Sequence, residues 1–163
     1  LTSVKLRFNT GGTINLTDKI NQDLKNAMRS GDKIRLETIR SIRALILEYE
    51  KSGTGKELNA EEEIRMLTTA AKKRKESIEQ FRNGGRIELA EKEEAELKII
   101  EEYLPKQLSL EEILTEVKKI ALEVGAKSKD DFPKLMPVAA KELKGKADGK
   151  VVREVVEKVL SAN

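Results

Sequence analysis

Lysine and arginine side chains occur in three clusters whose chemistry suits the binding of phosphate groups. An arginine can hold a phosphate through two parallel hydrogen bonds, whereas a lysine acts as a point charge. In the third cluster a lysine-rich turn enters a helix N-terminus, where backbone N–H groups and the helix dipole also attract anions. The candidates for phosphate contact are, in chain order, Arg35, Arg40 and Arg43; Lys72, Lys73 and Lys75; and Lys144, Lys146 and Lys150.

Each cluster also has a structural interpretation, which the sequence leaves open. Helical arginines and a lysine run are often surface charges whose stems cover apolar surface. In the third cluster Asp148 can cap the same N–H groups that would attract an anion, and Gly149 can allow the last helix to pack closely. This turn is not a P-loop, because the Gly-x4-Gly-Lys-Ser/Thr spacing is missing.

Arg74 differs from its basic neighbours because it interrupts an apolar helical stripe that includes Leu67, Ala71 and Ile78. Glu93 interrupts a similar stripe on the next predicted helix, and Gly84-Gly85 between the two helices favours an antiparallel hairpin. We therefore predict a partly buried ion pair between Arg74 and Glu93 or Glu96, which fixes the register of the two helices.

The composition argues against several kinds of chemistry. The 163 residues include no Cys and no His, which removes thiol nucleophiles, zinc–thiolate sites, and the commonest general base and metal ligand. Trp is absent and aromatic residues make up 3%, so a platform of several stacked bases is not expected. We predict no catalytic residues, no metal site and no cofactor, and we do not expect the chain to be an enzyme on its own. The net charge of +3 requires that any nucleic-acid surface be one face of the protein.

Apolar residues recur at helical spacing through most of the chain, which predicts an all-α fold. The first helix has a stripe from Leu16 to Met28 and a predicted cap at Thr17, and the fourth helix extends to about Tyr103. Between Asp130 and Leu143 the two prolines predict a helical stretch that is interrupted. The other predicted N-caps are Asp32, Asn59, Ser109 (with Glu112 in a capping box) and Asp148. Strict apolar alternation occurs only in Leu1–Phe8.

The break around Pro105 predicts two domains. Residues 1–15 fit none of the following pattern, and we interpret them as an extension or an upstream remnant. Residues 16–104 form a larger N-terminal helical domain, residues 105–108 a linker, and residues 109–163 a small three-helix domain. That last domain has a formal charge of only +1, from 11 basic and 10 acidic residues.

Several strings in the chain resemble the YqeY-like family. The resemblance covers about residues 16–161, and its two most specific strings are Tyr-Leu-Pro-x-Gln-Leu at 103–108 and Gly-Lys-Ala-Asp-Gly at 145–149. One departure is the segment 132–136, where the family usually has a Met-Gly-containing stretch. The other matching strings are Leu36-x-x-Ile39-Arg40, Lys73-Arg74-Lys75-Glu76-Ser77, Phe81, Gly85-Arg86 and Glu93-x-x-Glu96-Leu97.

The resemblance implies a function in binding rather than in catalysis. Members of the family are similar to the tail of the B subunit of the tRNA-dependent amidotransferase, a tRNA-binding appendage whose enzyme carries its chemistry elsewhere. We therefore expect a non-catalytic tRNA-binding accessory module, with an amidotransferase or an aminoacyl-tRNA synthetase as a possible protein partner. The alternative is a protein-interaction adaptor of a translation-related enzyme complex that does not contact RNA.

The expected location is the cytoplasm, with an organelle matrix as the alternative. The absence of cysteine and of a complete signal peptide favours both over an oxidising compartment. No apolar run approaches the length of a membrane span, so no membrane partner is expected.

Overall fold

The computed structural model describes residues 15–53, 55 and 58–162, and the expectations for the segment 1–14 lie outside the described residues. The chain divides into two compact units, Leu1–Leu104 and Pro105–Asn163. All regular structure among the described residues is helical, which confirms the all-α prediction. The first unit contains α1 (Leu16–Ser30), α2 (Lys33–Lys51), α3 (Ala60–Asn83) and α4 (Ile87–Glu101). The second contains α5 (Leu110–Val124), α6 (Phe132–Glu142) and α7 (Gly149–Ser161), with a 3-10 turn at Lys129–Asp131.

In the first unit α4 is the element against which the two longest helices pack. It contacts both α2 and α3, and α1 packs against α2. The core contains the apolar residues of these helices together with Tyr103 and Leu104, which follow α4. The expected helical end at Tyr103 is therefore wrong by about half a turn, because α4 stops at Glu101 and the next residues continue in turns.

In the second unit each of the three helices packs against the other two. The apolar stripe of α7 supplies five buried residues, and α5 and α6 cover it from two sides. Ser109 begins α5 with the predicted capping box: its Oγ accepts from the Glu112 N–H, and Glu112 accepts from the Ser109 N–H at 2.8 Å. This unit has its own core, separate from that of the first.

Two expectations about α1 are wrong. Asn15, not Thr17, caps the helix, and its side chain accepts from the Asp18 N–H at 2.8 Å. The cap therefore lies two residues before the predicted one, because Asn is a stronger cap than Thr and precedes Thr17 in the chain. Met28 ends the predicted apolar stripe, but it is 53% exposed, because the buried face passes through Ala27 instead.

The expectation of an interrupted helix between Asp130 and Leu143 is also wrong, since α6 is one helix from Phe132 to Glu142. Pro133 lies in the first turn, where its missing N–H has no intrahelical acceptor in any case. Pro137 lies inside the helix and leaves a single ladder bond unmade. Burial of Leu135 and Ala139 on either side of Pro137 keeps the segment helical.

Candidate nucleic-acid interface

The turn between α6 and α7 places three exposed lysines on a rigid backbone. It begins where the N–H groups of Lys146 and Ala147 donate to the Leu143 carbonyl at 3.0 and 3.1 Å. Gly145 lies between Leu143 and Lys146 with φ of +79°, a conformation that a side chain would strain. The side chains of Lys144, Lys146 and Lys150 are exposed.

Gln107 holds this turn from the other side. Its Nε2 donates to the Gly145 carbonyl at 2.7 Å and to the Pro105 carbonyl at 2.9 Å. The N–H of the next residue, Leu108, donates to the Lys146 carbonyl at 2.9 Å. The two most specific strings of the family resemblance therefore form one hydrogen-bonded structure. Gln107 belongs to the family string at 103–108, but no role was predicted for this side chain. Its place in that string is the only signal in the sequence that could have identified it.

The N-terminus of α7 is capped by the protein itself. The Asp148 side chain accepts from the Lys150 N–H at 2.9 Å, and its carbonyl accepts from the Val152 N–H. The idea that Gly149 serves close helix packing is wrong, since a Cβ at Gly149 would meet no atom within 4 Å. The surface above Gly149 is open, and Lys146 and Lys150 flank it in the chain.

The predicted arginines of α2 are not equivalent. Arg35 is already engaged, because its guanidinium donates two hydrogen bonds to the Glu102 carboxylate, at 2.8 and 3.0 Å. The hydrogen bond to Glu102 raises the pKa of Arg35 above its usual range. Arg40 and Arg43 are exposed and make no ion pair with any described residue.

The lysine run of α3 is exposed at Lys72, Lys73 and Lys75. Of these three, only Lys73 lines a groove between α2 and α3, which has a volume of about 480 Å³. The structure therefore does not bring the run together as one site.

Arg74 lies against both predicted carboxylates. Its Nη1 is 3.0 Å from Glu93 Oε2, and it also contacts Glu96 Oε2. The Glu96 side chain is 7% exposed and that of Arg74 is 25% exposed, so the cluster is partly buried. Burial raises the pKa of Glu96, and the Arg74 charge partly offsets this effect.

Two further polar residues of the first unit were missed by the sequence analysis. Glu63 on α3 is buried, and its carboxylate accepts from the N–H of Leu16 at the start of α1. Burial raises its pKa. The Tyr103 hydroxyl donates to Asp23 on α1 at 2.6 Å, and burial raises the pKa of Tyr103. The sequence did contain a signal for Glu63, namely a charged residue on an apolar helix face. That signal predicted the pairing of Arg74 with Glu93 but was not applied to Glu63.

The described residues contain no group of three or more Asp and Glu side chains placed to hold a metal ion. Within that same part of the chain, every helix is too short or too polar to cross a membrane.

Comparison with known proteins matches this chain to one family. The family model described as Yqey-like protein matches residues 17–160. A relative from Pyrenophora tritici-repentis, "Altered inheritance of mitochondria protein 41, mitochondrial", is 33% identical over 98% of this chain and 90% of its own length. A relative of the same name from Candida glabrata is 30% identical over 88% of this chain and 76% of its own length. A third, from Lachancea thermotolerans, is 36% identical over 52% of this chain and 46% of its own length.

Proposed function

This chain belongs to the Yqey-like protein family, and from that premise we propose that it is a non-catalytic tRNA-binding accessory module. The observation that carries the proposal is the turn between α6 and α7. Lys146 and Lys150 are exposed at the N-terminus of α7, on a backbone that Gln107 holds in place. Lysines on a fixed backbone lose less conformational freedom when they meet a phosphate than lysines on a mobile loop.

Gly149 supports the same proposal. Its packing does not require a glycine, because a Cβ would meet open space, and its φ is not positive. A glycine on an open surface between two lysines lets the backbone of a ligand approach closely. The phosphate backbone of an RNA strand is a ligand of this kind.

Salt dependence of tRNA binding tests the proposal. We expect the full chain to bind unfractionated tRNA in a fluorescence anisotropy assay, with an affinity that falls between about 50 and 200 mM salt. Simultaneous change of Lys144, Lys146 and Lys150 to Gln should weaken binding and reduce the slope of log K against log salt by up to about one unit for each lost contact. Sequence preference should be slight, since RNA helices are recognised mainly by shape and backbone.

The matched control removes the same charge elsewhere in the second unit. Lys119, Lys129 and Lys158 are exposed and distant in sequence from the turn, and their joint change to Gln should leave the slope almost unchanged. Equal losses in the two triple variants would contradict a site at the turn. An absence of tRNA binding by the unmodified chain at low salt would contradict the proposal and favour the protein-interaction adaptor.

Partner and location are further parts of the proposal. Capture of an amidotransferase or an aminoacyl-tRNA synthetase from source cells, with and without ribonuclease, tests whether RNA bridges such a partner to this chain. The mitochondrial names of the relatives support an organelle matrix over the cytoplasm for this chain. Fractionation of the source cells followed by immunoblotting tests that location.

A further inference from the structure

The groove between α2 and α3 is lined by both apolar and polar side chains. Both helices pack on α4, and the space between them has a volume of about 480 Å³, within the range of pockets that hold small ligands. Tyr49 and Leu45 of α2 and Met66 and Ala70 of α3 supply apolar lining with one aromatic ring. Polar side chains also line this part of α3, namely Glu62, Arg65 and Thr69.

The polar lining includes one lysine and two serines. Lys73 and Ser77 lie one helical turn apart on α3, and Ser41 lines the α2 side. The Ser41 hydroxyl donates to the Thr38 carbonyl at 2.6 Å and so presents its lone pairs, whereas the Ser77 hydroxyl has no hydrogen-bond partner among the described residues. Ser77 is therefore available as a donor.

Among the described residues, the charges that line the groove leave one cation without a counterion. Arg74 lies 3.0 Å from Glu93, and Arg65 lies 3.6 Å from Glu62, so these lining charges form pairs. Lys73 makes no ion pair with any described residue. The groove therefore combines an aromatic ring and an apolar wall with an ammonium and a hydroxyl donor. Its α2 side, from Ser41 to Tyr49, is about two helical turns long.

We propose that this groove binds one unpaired nucleotide, with its base against Tyr49 and its phosphate at Lys73 and Ser77. A bare phosphate would leave the apolar wall unused, and an amphipathic helix would place apolar side chains against Lys73 and Ser77. A nucleotide matches both the apolar and the polar lining, because its base has an apolar face for stacking and its phosphate is an anion with several acceptor oxygens. The inference rests on the proposed function in one respect, which is that the nucleotide belongs to an RNA strand.

The first experiment titrates the full chain with adenosine 5′-monophosphate and follows backbone amide signals by NMR. We expect shifts confined to the groove-lining parts of α2 and α3, with weaker binding of adenosine alone and of inorganic phosphate alone. Lys73→Gln should weaken binding of the nucleotide about tenfold, and Tyr49→Leu should weaken it about fivefold or more.

Lys72→Gln is the matched control, since Lys72 is the adjacent exposed lysine of α3 and does not line the groove. It should change the affinity less than twofold. Shifts elsewhere in the chain, no shifts at millimolar nucleotide, or equal losses for Lys72→Gln and Lys73→Gln would overturn the inference. Preferential binding of an apolar helical peptide in the groove would overturn it as well.

A second measurement separates this inference from the proposed function. Lys73→Gln should lower the affinity for a tRNA with an unpaired 3′ end more than for a blunt RNA duplex, and Lys72→Gln should lower both equally. If the chain binds the nucleotide but no tRNA, the inference that the nucleotide belongs to an RNA strand is overturned, and the groove is a site for free nucleotides. If the chain binds tRNA and the groove variants have no effect on that binding, the inference that the groove binds a nucleotide of RNA is overturned, and the turn before α7 remains the site.

Discussion

Arg74 shows how one charged residue can determine the packing of two helices. It interrupts the apolar stripe of α3 and meets Glu93 and Glu96 of α4, and the second of these carboxylates is almost fully buried. Loss of one partner from such a cluster leaves a charge without compensation in a poorly solvated place. The register of the α3–α4 hairpin therefore depends on this cluster as well as on apolar contacts.

We predict that Arg74→Met lowers the free energy of unfolding by about 3 kcal/mol, the lower end of the range for a buried pair, because Arg74 keeps some solvent contact. Urea unfolding followed by circular dichroism measures the effect. Arg82→Met is the control, since Arg82 lies on the same helix and contacts Glu94 at an exposed position, where a pair contributes less than about 1 kcal/mol. An Arg74→Met variant as stable as the unmodified protein would show that the pair is dispensable.

Glu63 predicts a pH dependence of stability. Burial raises its pKa above the ordinary value of 4.5, so the folded state favours the protonated carboxyl. Below the ordinary pKa, Glu63 is protonated in both the folded and the unfolded state, so its ionisation does not change the free energy of unfolding. As the pH rises above about 4.5 the unfolded state ionises first, and the folded state loses stability until the pH passes the raised pKa.

Glu63→Gln should therefore raise the urea midpoint at pH 7 and leave it almost unchanged at pH 4, since an amide oxygen can still accept from the Leu16 N–H. Urea titrations at several pH values between these two measure the difference. Glu79→Gln, at an exposed position of the same helix, controls for the loss of one surface charge. An effect of Glu63→Gln that is equally large at pH 4 would mean that ionisation of Glu63 is not its cause.

At the scale of elements, the turn before α7 depends on two glycines for different reasons. Gly145 has φ of +79° and Gly149 does not have a positive φ. Gly145→Ala should destabilise the protein by about 1–2 kcal/mol, because an alanine strains the left-handed conformation. Gly149→Ala should be neutral or stabilise it by up to about 1 kcal/mol, because alanine is the better helix former and has room.

Thermal unfolding of the two alanine variants measures these changes, and binding of tRNA by Gly149→Ala adds a second readout. A stable Gly149→Ala variant with weaker tRNA binding would support close approach of RNA at this surface. A Gly149→Ala variant destabilised as strongly as Gly145→Ala would contradict the open space above Gly149.

At the scale of the whole molecule, the described residues form two hydrophobic cores, one in each unit. Every helix of the second unit contributes to its own core, and the Gln107 hydrogen bonds to Pro105 and Gly145 lie within that unit. We predict that residues 105–163 fold cooperatively as a separate fragment, although a domain of this size has only modest stability.

Circular dichroism during thermal unfolding of that fragment tests the prediction. We expect a cooperative transition, which Gln107→Ala should shift to lower temperature because it removes two hydrogen bonds from partly buried carbonyls. A fragment with helical signal but no cooperative transition would show that the second core is insufficient by itself.

The sequence by itself determined the features that depend on near neighbours. Asp32, Asn59, Ser109 and Asp148 cap their helices as predicted, because each cap is a hydrogen bond over two or three residues. Helical spacing of apolar residues predicted the all-α class for the same reason, since it reports which face of one helix is buried. The predicted cap at Thr17 was wrong because Asn15, the stronger cap of the two, lies two residues earlier.

Only the tertiary structure decided which distant polar groups meet. Gln107 and Gly145 are 38 residues apart, and Tyr103 and Asp23 are 80 residues apart. Hydrogen bonds between separate elements leave no periodic pattern in a sequence, and their partners depend on how the helices pack. Pro137 is a third case, because burial of its neighbours outweighs the loss of one ladder bond that the sequence rule predicts. The open surface above Gly149 and the position of Lys73 in the groove follow from the same packing, so the two candidate binding surfaces required the structure.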